Sequence, residues 1–184
     1  FLIFADSDDR MEPDAVRRAV EAQRQYDADL VLYNLTYVDE ENRPLPQPDF
    51  SGFRDEVLCE DEVWARYFAL AETRIYYVVA WNKLYRRSLL MNAGLWFTRE
   101  IYNEDQLFNV RYFRLAKAYT ALADPGYYYI QNPQSLLHTN VDLGKIVNSR
   151  LQMFPHYKQM LTELGIARGN QLRLYHTLIA QSER

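Results

Sequence analysis

The first 38 residues change their hydrophobic period twice, which strongly restricts the folds open to this chain. Residues 1–5 form a short apolar run that ends in carboxylates, as a buried central strand does. Pro13 stands at a favourable first-turn position, and a helix is predicted from there to about Asp27. Residues 30–38 alternate loosely and include β-branched and aromatic side chains, which predicts a strand. Strand, helix and strand in this order indicate a three-layer α/β fold.

The middle of the chain predicts further alternating elements. Residues 39–55 are polar and proline-rich and are expected to form a loop. A helix is expected from about residue 61, strands within 74–85, and a short helix over 86–93 that Gly94 closes. A helix over 104–116 begins after Asn103, a plausible cap. Two short strands, 119–124 and 127–131, are expected on either side of Pro125-Gly126.

The tail is predicted to be helical from about residue 143 to the end, with a break near Gly165. One face of the first tail helix is apolar and consists of Val147, Leu151, Phe154, Leu161 and Leu164. The sequence contains no internal repeat. We therefore expect one α/β domain over residues 1–140 and a helical C-terminal extension over residues 141–184.

Composition excludes several classes of protein. Hydrophobic residues make up 48% of the chain, which is too apolar for a disordered segment. The formal net charge of −4 lacks the basic field of a nucleic-acid-binding protein. The single cysteine, Cys59, excludes an intrachain disulfide, and no apolar run approaches the ~20 residues of a membrane span. A cytoplasmic protein is expected, and segments outside this chain would supply any attachment to the inner face of a membrane.

Three carboxylates, Asp6, Asp8 and Asp9, crowd directly behind the first apolar run. Ligands of open α/β sheets bind beyond the carboxyl ends of the strands. Carboxylates this close repel one another unless a cation neutralises them, and Mg²⁺ and Mn²⁺ prefer oxygen ligands of this kind. The residues alone leave two interpretations open: a divalent cation site that also binds substrate phosphates, or an exposed acidic turn before the next helix.

Two classes of enzyme place such aspartates after a strand: haloacid-dehalogenase phosphatases and GT-A glycosyltransferases. In the phosphatases the first Asp is a nucleophile and the second a general acid, and the loop continues with a Gly-Thr or Gly-Val type of turn. Here Asp9-Arg10 follows instead, and the Thr and Lys motifs expected downstream are missing. The phosphatase interpretation is therefore the weaker of the two.

Four segments together resemble the family 2 type of bacterial glycosyltransferase, which has the GT-A fold. The first, residues 4–14, resembles the family's Asp–Ser–Asp–Asp–x–x–x–Pro–Asp sequence. The other three agree in order and spacing, so that the resemblance spans roughly residues 1–140. The matching segments are Phe4-Ala5-Asp6-Ser7-Asp8-Asp9 with Glu12-Pro13-Asp14, then Trp81-Asn82-Lys83-Leu84-Tyr85-Arg86-Arg87, then Asn103-Glu104-Asp105-Gln106-Leu107-Phe108, and finally Tyr127-Tyr128-Tyr129 with Ser135 and His138.

The resemblance implies an inverting transfer of a sugar from a nucleotide-diphosphate donor to a glycan or lipid-linked acceptor, as in surface polysaccharide synthesis. Asp6 and Asp8 would form the DxD motif, which holds Mn²⁺ or Mg²⁺ against the donor diphosphate. Asp105, beside Glu104, would be the general base for the acceptor hydroxyl. The helix dipole favours the ionised form of Asp105, whereas Glu104 and desolvation oppose it. The alternative for this pair is an acidic first turn that only stabilises its helix.

Four other side chains have two interpretations each. His138 would complete the metal shell or contact the diphosphate, or it is a surface histidine in a loop. Lys83 would contact a phosphate, although a lysine on a strand is more often solvated. Trp81 and Trp96 would stack on a sugar ring, although burial tendencies favour the core.

The chain also departs from the family. The family's opening strand, its Pro–x–Tyr–Asn turn and its base-contacting Asp come before the DxD strand, and all three are missing from this sequence. Ile130 stands where relatives often have Arg, which removes a phosphate contact. The resemblance thus predicts a partial GT-A (nucleotide-diphospho-sugar transferase, Rossmann-like) three-layer sandwich without its N-terminal nucleotide-binding half. A non-catalytic fragment that forms homo-oligomers through its tail helices is the remaining alternative.

Overall fold

One mixed sheet organises the part of the protein that the computed structural model describes, residues 1–47, 55–59, 62, 79–98, 104–131 and 143–163. The strands are β1 (Leu2–Ile3), β2 (Arg10–Met11), β3 (Leu30–Val38), β4 (Glu56–Cys59), β5 (Lys83–Tyr85) and β6 (Ala118–Ile130). Their order in the sheet is β1–β5–β3–β6–β2, and β4 pairs with β6 as well. The helices are α1 (Ala15–Tyr26), α2 (Arg87–Ala93), α3 (Glu104–Phe113) and α4 (Leu143–Glu163).

Strand β3 forms the centre of this sheet. It pairs in parallel with β6 and antiparallel with β5. Its first four residues, Leu30 to Tyr33, are at most 2% exposed. A strand buried on both faces is expected where neighbours cover both edges and other elements cover both faces. The predicted strand over residues 30–38 is confirmed.

Strand β1, in contrast, lies at one end of the sheet, so the prediction of a buried central strand there is wrong for the strands that the structure describes. It contains two half-buried residues and pairs antiparallel with β5. Phe4, the next apolar residue, packs edge-on against Tyr85, Phe97 and Phe108 with ring centroids 5.0–5.6 Å apart. The run is apolar because its last aromatic residue packs into this aromatic cluster. The hydrophobic pattern cannot distinguish an edge strand of this kind from a central strand.

Strand β6 is continuous over 13 residues, whereas two short strands were predicted. Its register against β3 shifts on both sides of the pair Asn34 and Pro125. This bulge accommodates Pro125, which has no N–H to donate to the ladder. A Cβ on Gly126 would lie 2.8 Å from Cδ2 of Tyr33, so only glycine lets the strand approach that ring.

Strands β2 and β4 were not predicted. β2 pairs antiparallel with β6 through Arg10 opposite Tyr128 and Met11 opposite Tyr127. β4 also pairs antiparallel with β6, and its Leu58 is 8% exposed. Segments of two and four residues are too short for an alternating pattern to be recognised. Tertiary pairing with β6 therefore decides their conformation.

The predicted helices are largely confirmed. α1 covers most of the predicted helix, and α2 ends at Gly94, whose φ of 58° is left-handed. α3 ends at Phe113, three residues before the predicted end at residue 116. Apart from residue 62, the helix predicted from residue 61 lies outside the described residues, as do the strand residues 74–78 and the cap at Asn103.

Helix α4 packs against α3 with a face that only partly agrees with the prediction, since Phe154 packs against the core. Val147 and Leu151 are 49% and 67% exposed. The residues of α4 that join the core are Met153, Tyr157 and Met160. None of the described helices is both long enough and apolar enough to cross a membrane. The break near Gly165 lies outside the described residues, and the domain division and self-association stay predictions.

Candidate active site

The carboxylates after β1 lie on a tight turn. The Asp9 N–H donates to the Asp6 carbonyl at 3.2 Å, which turns the chain back on itself. The side chains of Asp6 and Asp8 are exposed, whereas Asp9 is half-buried. The turn therefore presents two accessible carboxylates separated by one residue.

Strand β6 holds this turn at both ends. The Asp6 N–H donates to the Tyr127 hydroxyl at 3.0 Å. The Ile130 N–H donates to Asp9 Oδ1 at 2.9 Å. Because β6 is a long strand inside the sheet, these two bonds tie the position of the turn to the rest of the fold.

The turn is electrostatically strained. Desolvation raises the pKa of Asp6, and the charges of Asp8 and Glu104 raise it further. Desolvation also raises the pKa of Asp9 to about 6, although the Ile130 amide and the Tyr127 hydroxyl lower it. All the causes of the Asp6 shift act in the same direction, so a bound cation would relieve them.

The donor chemistry of the turn fits a hard divalent cation. Asp6 and Asp8 offer carboxylate oxygens, which Mg²⁺ and Mn²⁺ prefer. Mg²⁺ sites commonly use one or two carboxylates and complete their shell with water and substrate phosphates. Within the described ranges no set of three His, Cys, Asp or Glu side chains is arranged to hold a metal. His138, the third ligand predicted, lies outside those ranges.

A second pair of carboxylates stands at the start of α3, where Glu104 and Asp105 occupy the first turn. Glu104 is exposed and Asp105 is half-buried. Asp105 Oδ2 accepts a hydrogen bond from the Ala80 N–H at 3.0 Å. This bond fixes the carboxylate against the segment before β5.

Opposing effects act on the pKa of Asp105, and the raising effects prevail. Desolvation is the largest and raises it, while the hydrogen bond from Ala80 lowers it. The charges of Glu104 and Asp6 raise it, and that of Lys83 lowers it. Because the charges of Glu104 and Asp105 both interact with that of Asp6, the turn after β1 and the start of α3 lie near each other.

Side chains from three elements hold segment 79–82 by its backbone carbonyls. They come from β3, β5 and α3, and all are buried. Asn109 is four residues after Asp105 and thus on the same face of α3. The bonds are Tyr33 Oη to the Trp81 carbonyl at 2.9 Å, Tyr85 Oη to the Ala80 carbonyl at 3.2 Å, and Asn109 Nδ2 to the Val79 carbonyl at 2.9 Å.

Sequence reasoning did not assign a role to any of these three side chains. The i, i+4 spacing of Asp105 and Asn109 was the only signal available for one of them. Tyr85 belongs to a segment that carries the family resemblance, but no role was assigned to it, and Tyr33 was only an apolar member of a predicted strand. A buried hydroxyl leaves no trace in a hydrophobic pattern.

Lys83 is fully buried, so the solvated alternative is wrong. Its ammonium donates to Asn82 Oδ1 at 2.7 Å and to the Val79 carbonyl. Asn82 in turn donates to the Tyr33 carbonyl at 3.0 Å. The ammonium is thus engaged by the segment that holds Asp105, and its contact with a phosphate stays a prediction.

Replacing Lys83 by Met is expected to remove a pH dependence of stability. Burial lowers the pKa of Lys83 to about 7 from 10.5. Between these values the unfolded chain binds one proton more than the folded protein, so this lysine makes stability rise with pH. The free energy of unfolding of the wild type should gain about 1 kcal/mol per pH unit above pH 7 relative to the variant.

Urea denaturation at pH 7, 8 and 9 measures this difference. The control is the Lys117→Met variant, because Lys117 is exposed. Its free energy of unfolding should depend on pH as that of the wild type does. Equal slopes for the wild type and Lys83→Met would show that the buried lysine does not release its proton on folding.

The two tryptophans have different environments. Trp81 is 7% exposed, and its ring stacks on Tyr127 at 4.4 Å and on Tyr129 at 5.4 Å. Trp96 is 65% exposed. The core interpretation is therefore right for Trp81 and wrong for Trp96, which has the surface available for stacking.

Two concave surfaces among the described residues lie away from the candidate site. One of about 510 Å³ lies between α1, β4 and β6 and includes Arg18, Tyr26 and Val57. Another, of about 310 Å³, is lined by Arg10, Met11, Asn42 and Tyr128. The geometry of the carboxylates, rather than the volume of a cavity, identifies the candidate site.

Comparison with curated proteins identifies glycosyltransferases as relatives, while no protein-family model matches the chain. Over 130 residues the chain is 29% identical to poly(ribitol-phosphate) beta-N-acetylglucosaminyltransferase TarS of Staphylococcus aureus. This match covers 70% of this chain and 20% of TarS. Over 164 residues the chain is 29% identical to the uncharacterized glycosyltransferase EpsJ of Bacillus subtilis, covering 85% of this chain and 47% of EpsJ. The chain thus spans a fifth to about half of the length of these relatives.

Solved structures of TarS have a similar fold. A crystal structure of S. aureus TarS 1–349 in complex with UDP-GlcNAc superposes with a TM-score of 0.61 at 21% identity, over 96% of this chain and 46% of that one. The same TarS fragment in complex with UDP gives a TM-score of 0.53 at 20% identity, and the superposition covers 95% of this chain and 53% of the TarS chain. The predicted resemblance and the partial GT-A-like fold are therefore confirmed. The relatives also favour a glycosyltransferase over a dehalogenase-type phosphatase.

Proposed function

We propose that this chain is the acceptor-side part of an inverting, metal-assisted glycosyltransferase. It transfers a sugar from a nucleoside diphosphate donor to a hydroxyl of a glycan or lipid-linked acceptor in surface polysaccharide synthesis. Homology to TarS and EpsJ supports sugar transfer as the reaction class. The UDP-GlcNAc complex of TarS makes that compound the first donor to test.

The nearness of the two carboxylate pairs is the observation that supports this proposal most. The charge of Glu104 raises the pKa of Asp6, and the charge of Asp6 raises the pKa of Asp105. Two carboxylate pairs with different exposure suit two different roles, since the environment decides what a carboxylate does. The exposed Asp6 and Asp8 would hold a divalent cation, and the half-buried Asp105 would act on a proton.

In the proposed reaction Asp105 accepts the proton of the acceptor hydroxyl. The oxygen of that hydroxyl attacks the anomeric carbon of the donor at the same time. The bond from that carbon to the diphosphate breaks, and the nucleoside diphosphate leaves with the electron pair. Asp6 and Asp8 would hold a divalent cation, which would supply positive charge next to the departing diphosphate. Attack and departure on opposite faces invert the anomeric configuration. The raised pKa of Asp105 suits a general base, because basicity increases with pKa.

A donor panel with product analysis tests the proposal. The complete protein that carries this chain is incubated with UDP-sugars, Mn²⁺ and candidate acceptors, and NMR determines the configuration of the new linkage. A β-linked product from an α-linked donor is expected, together with UDP in equal amount. Transfer with retained configuration, or no transfer with any donor, would contradict the proposal.

A further inference from the structure

The Tyr127 hydroxyl contacts the start of the Asp6–Asp9 turn. It accepts a hydrogen bond from the Asp6 N–H at 3.0 Å. A phenol oxygen has lone pairs with which to accept such a bond. At the other end of the turn Asp9 Oδ1 accepts from the Ile130 N–H at 2.9 Å, so that β6 holds both ends.

Packing fixes the position of that hydroxyl. Tyr127 is fully buried, and its ring lies 4.4 Å from the Trp81 ring at an interplanar angle of 16°. The Trp81 backbone is itself held by the Tyr33 hydroxyl. A tyrosine has only two rotatable side-chain bonds, so a packed ring leaves its hydroxyl little freedom.

The same tryptophan links the two halves of the candidate site. Trp81 follows Ala80, whose N–H binds Asp105. One side of segment 79–82 therefore contacts the proposed base, while the Trp81 ring supports the tyrosine that contacts the turn. The distance between the two carboxylate pairs depends on this continuous chain of contacts.

We propose that Tyr127 is a positioning residue: its hydroxyl, held in place by the Trp81 stack, sets the conformation of the Asp6–Asp9 turn for cation binding. This rests on the cation site of the proposed function. A group that orients metal ligands through their backbone or side chains affects metal affinity without touching the metal. Tyr127 contacts neither donor nor acceptor in this proposal.

The Tyr127→Phe variant tests the proposal, because it removes the hydroxyl and keeps the stacked ring. Asp6 is exposed, so its amide protection from hydrogen exchange should depend on this one bond. We expect its exchange rate to rise at least about tenfold, measured by NMR. We also expect the dissociation constant for Mn²⁺ alone, measured by calorimetry, to rise about 10- to 100-fold.

The matched control is Tyr129→Phe. Tyr129 stands two residues along β6 and stacks on the same tryptophan at 5.4 Å. Within the described residues its hydroxyl donates no hydrogen bond to the turn, so both measurements should stay at wild-type values. A Tyr127→Phe protein with a lower melting temperature but unchanged Asp6 exchange and Mn²⁺ affinity would overturn the proposal and leave Tyr127 a packing residue.

Two outcomes separate this inference from the proposed function. An Asp6 amide that exchanges at the unprotected rate in the wild-type protein overturns the inference without any variant. A wild-type protein that binds Mn²⁺ but transfers no sugar contradicts the proposed function, and the exchange and affinity measurements still decide the role of Tyr127.

Discussion

Replacing Asp105 by Asn is expected to lower the kcat of sugar transfer by about 10²–10⁴-fold, the usual contribution of a general base. Asn has nearly the same shape, and its oxygen can still accept the Ala80 N–H that Asp105 accepts at 3.0 Å. The fold should therefore be preserved. Initial rates with saturating donor and acceptor, together with circular dichroism of the variant, measure the effect.

Glu104→Gln is the matched control for this prediction. Glu104 is the neighbouring carboxylate, and its charge raises the pKa of Asp105. Its removal should lower that pKa and move the acidic limb of the pH–rate profile to lower pH, with a much smaller loss of kcat. A fully active Asp105→Asn variant would exclude Asp105 as the base.

The second large effect is expected from Asp6→Asn. The change removes one of the two exposed carboxylates of the turn and should abolish measurable Mn²⁺ binding. A cation next to a leaving diphosphate is worth several kcal/mol, so transfer should fall by about 10²–10³-fold. Calorimetry with Mn²⁺ and initial rates across a Mn²⁺ titration measure the two effects.

Asp14→Asn serves as the control for Asp6→Asn. Asp14 belongs to the same acidic stretch but pairs with Arg17 at 2.9 Å on the surface of α1. Its replacement should leave Mn²⁺ affinity and transfer unchanged. An Asp6→Asn protein with wild-type Mn²⁺ affinity would place the cation elsewhere in the protein.

The regular elements could be predicted from the sequence because local patterns determine them. Strand β3 is confirmed because both its faces are buried, which gives a long run of β-branched and aromatic residues. The end of α2 is confirmed because Gly94 adopts the left-handed conformation that glycine favours. In both cases the cause of the structure lies within a few residues of the sequence.

The sheet positions of β1 and β6 could not be predicted, because long-range contacts decide them. An apolar run such as residues 1–5 is compatible with a central strand or with an edge strand beside an aromatic cluster. Pro125-Gly126 usually marks a turn, yet a bulge against β3 lets β6 continue through it. Register with a distant strand is not encoded in the local pattern.

The candidate site was predictable as a set of motifs but not as a geometry. The resemblance pointed to Asp6 and Asp105, and the structure brings both into one electrostatic environment. The burial of Lys83 and the hydrogen bond to the Tyr127 hydroxyl were missed, because a hydrogen bond between residues far apart in sequence leaves no signal in either segment. The roles of all four residues in the reaction remain predictions.

The clamping of segment 79–82 has a consequence for substrate binding. Its carbonyls are held by buried Tyr33, Tyr85 and Asn109, so the segment is ordered when the chain folds. Because the Ala80 N–H of this segment holds Asp105, substrate binding would not have to order the support of the proposed base. The part of the association entropy that arises from this segment should therefore be close to zero.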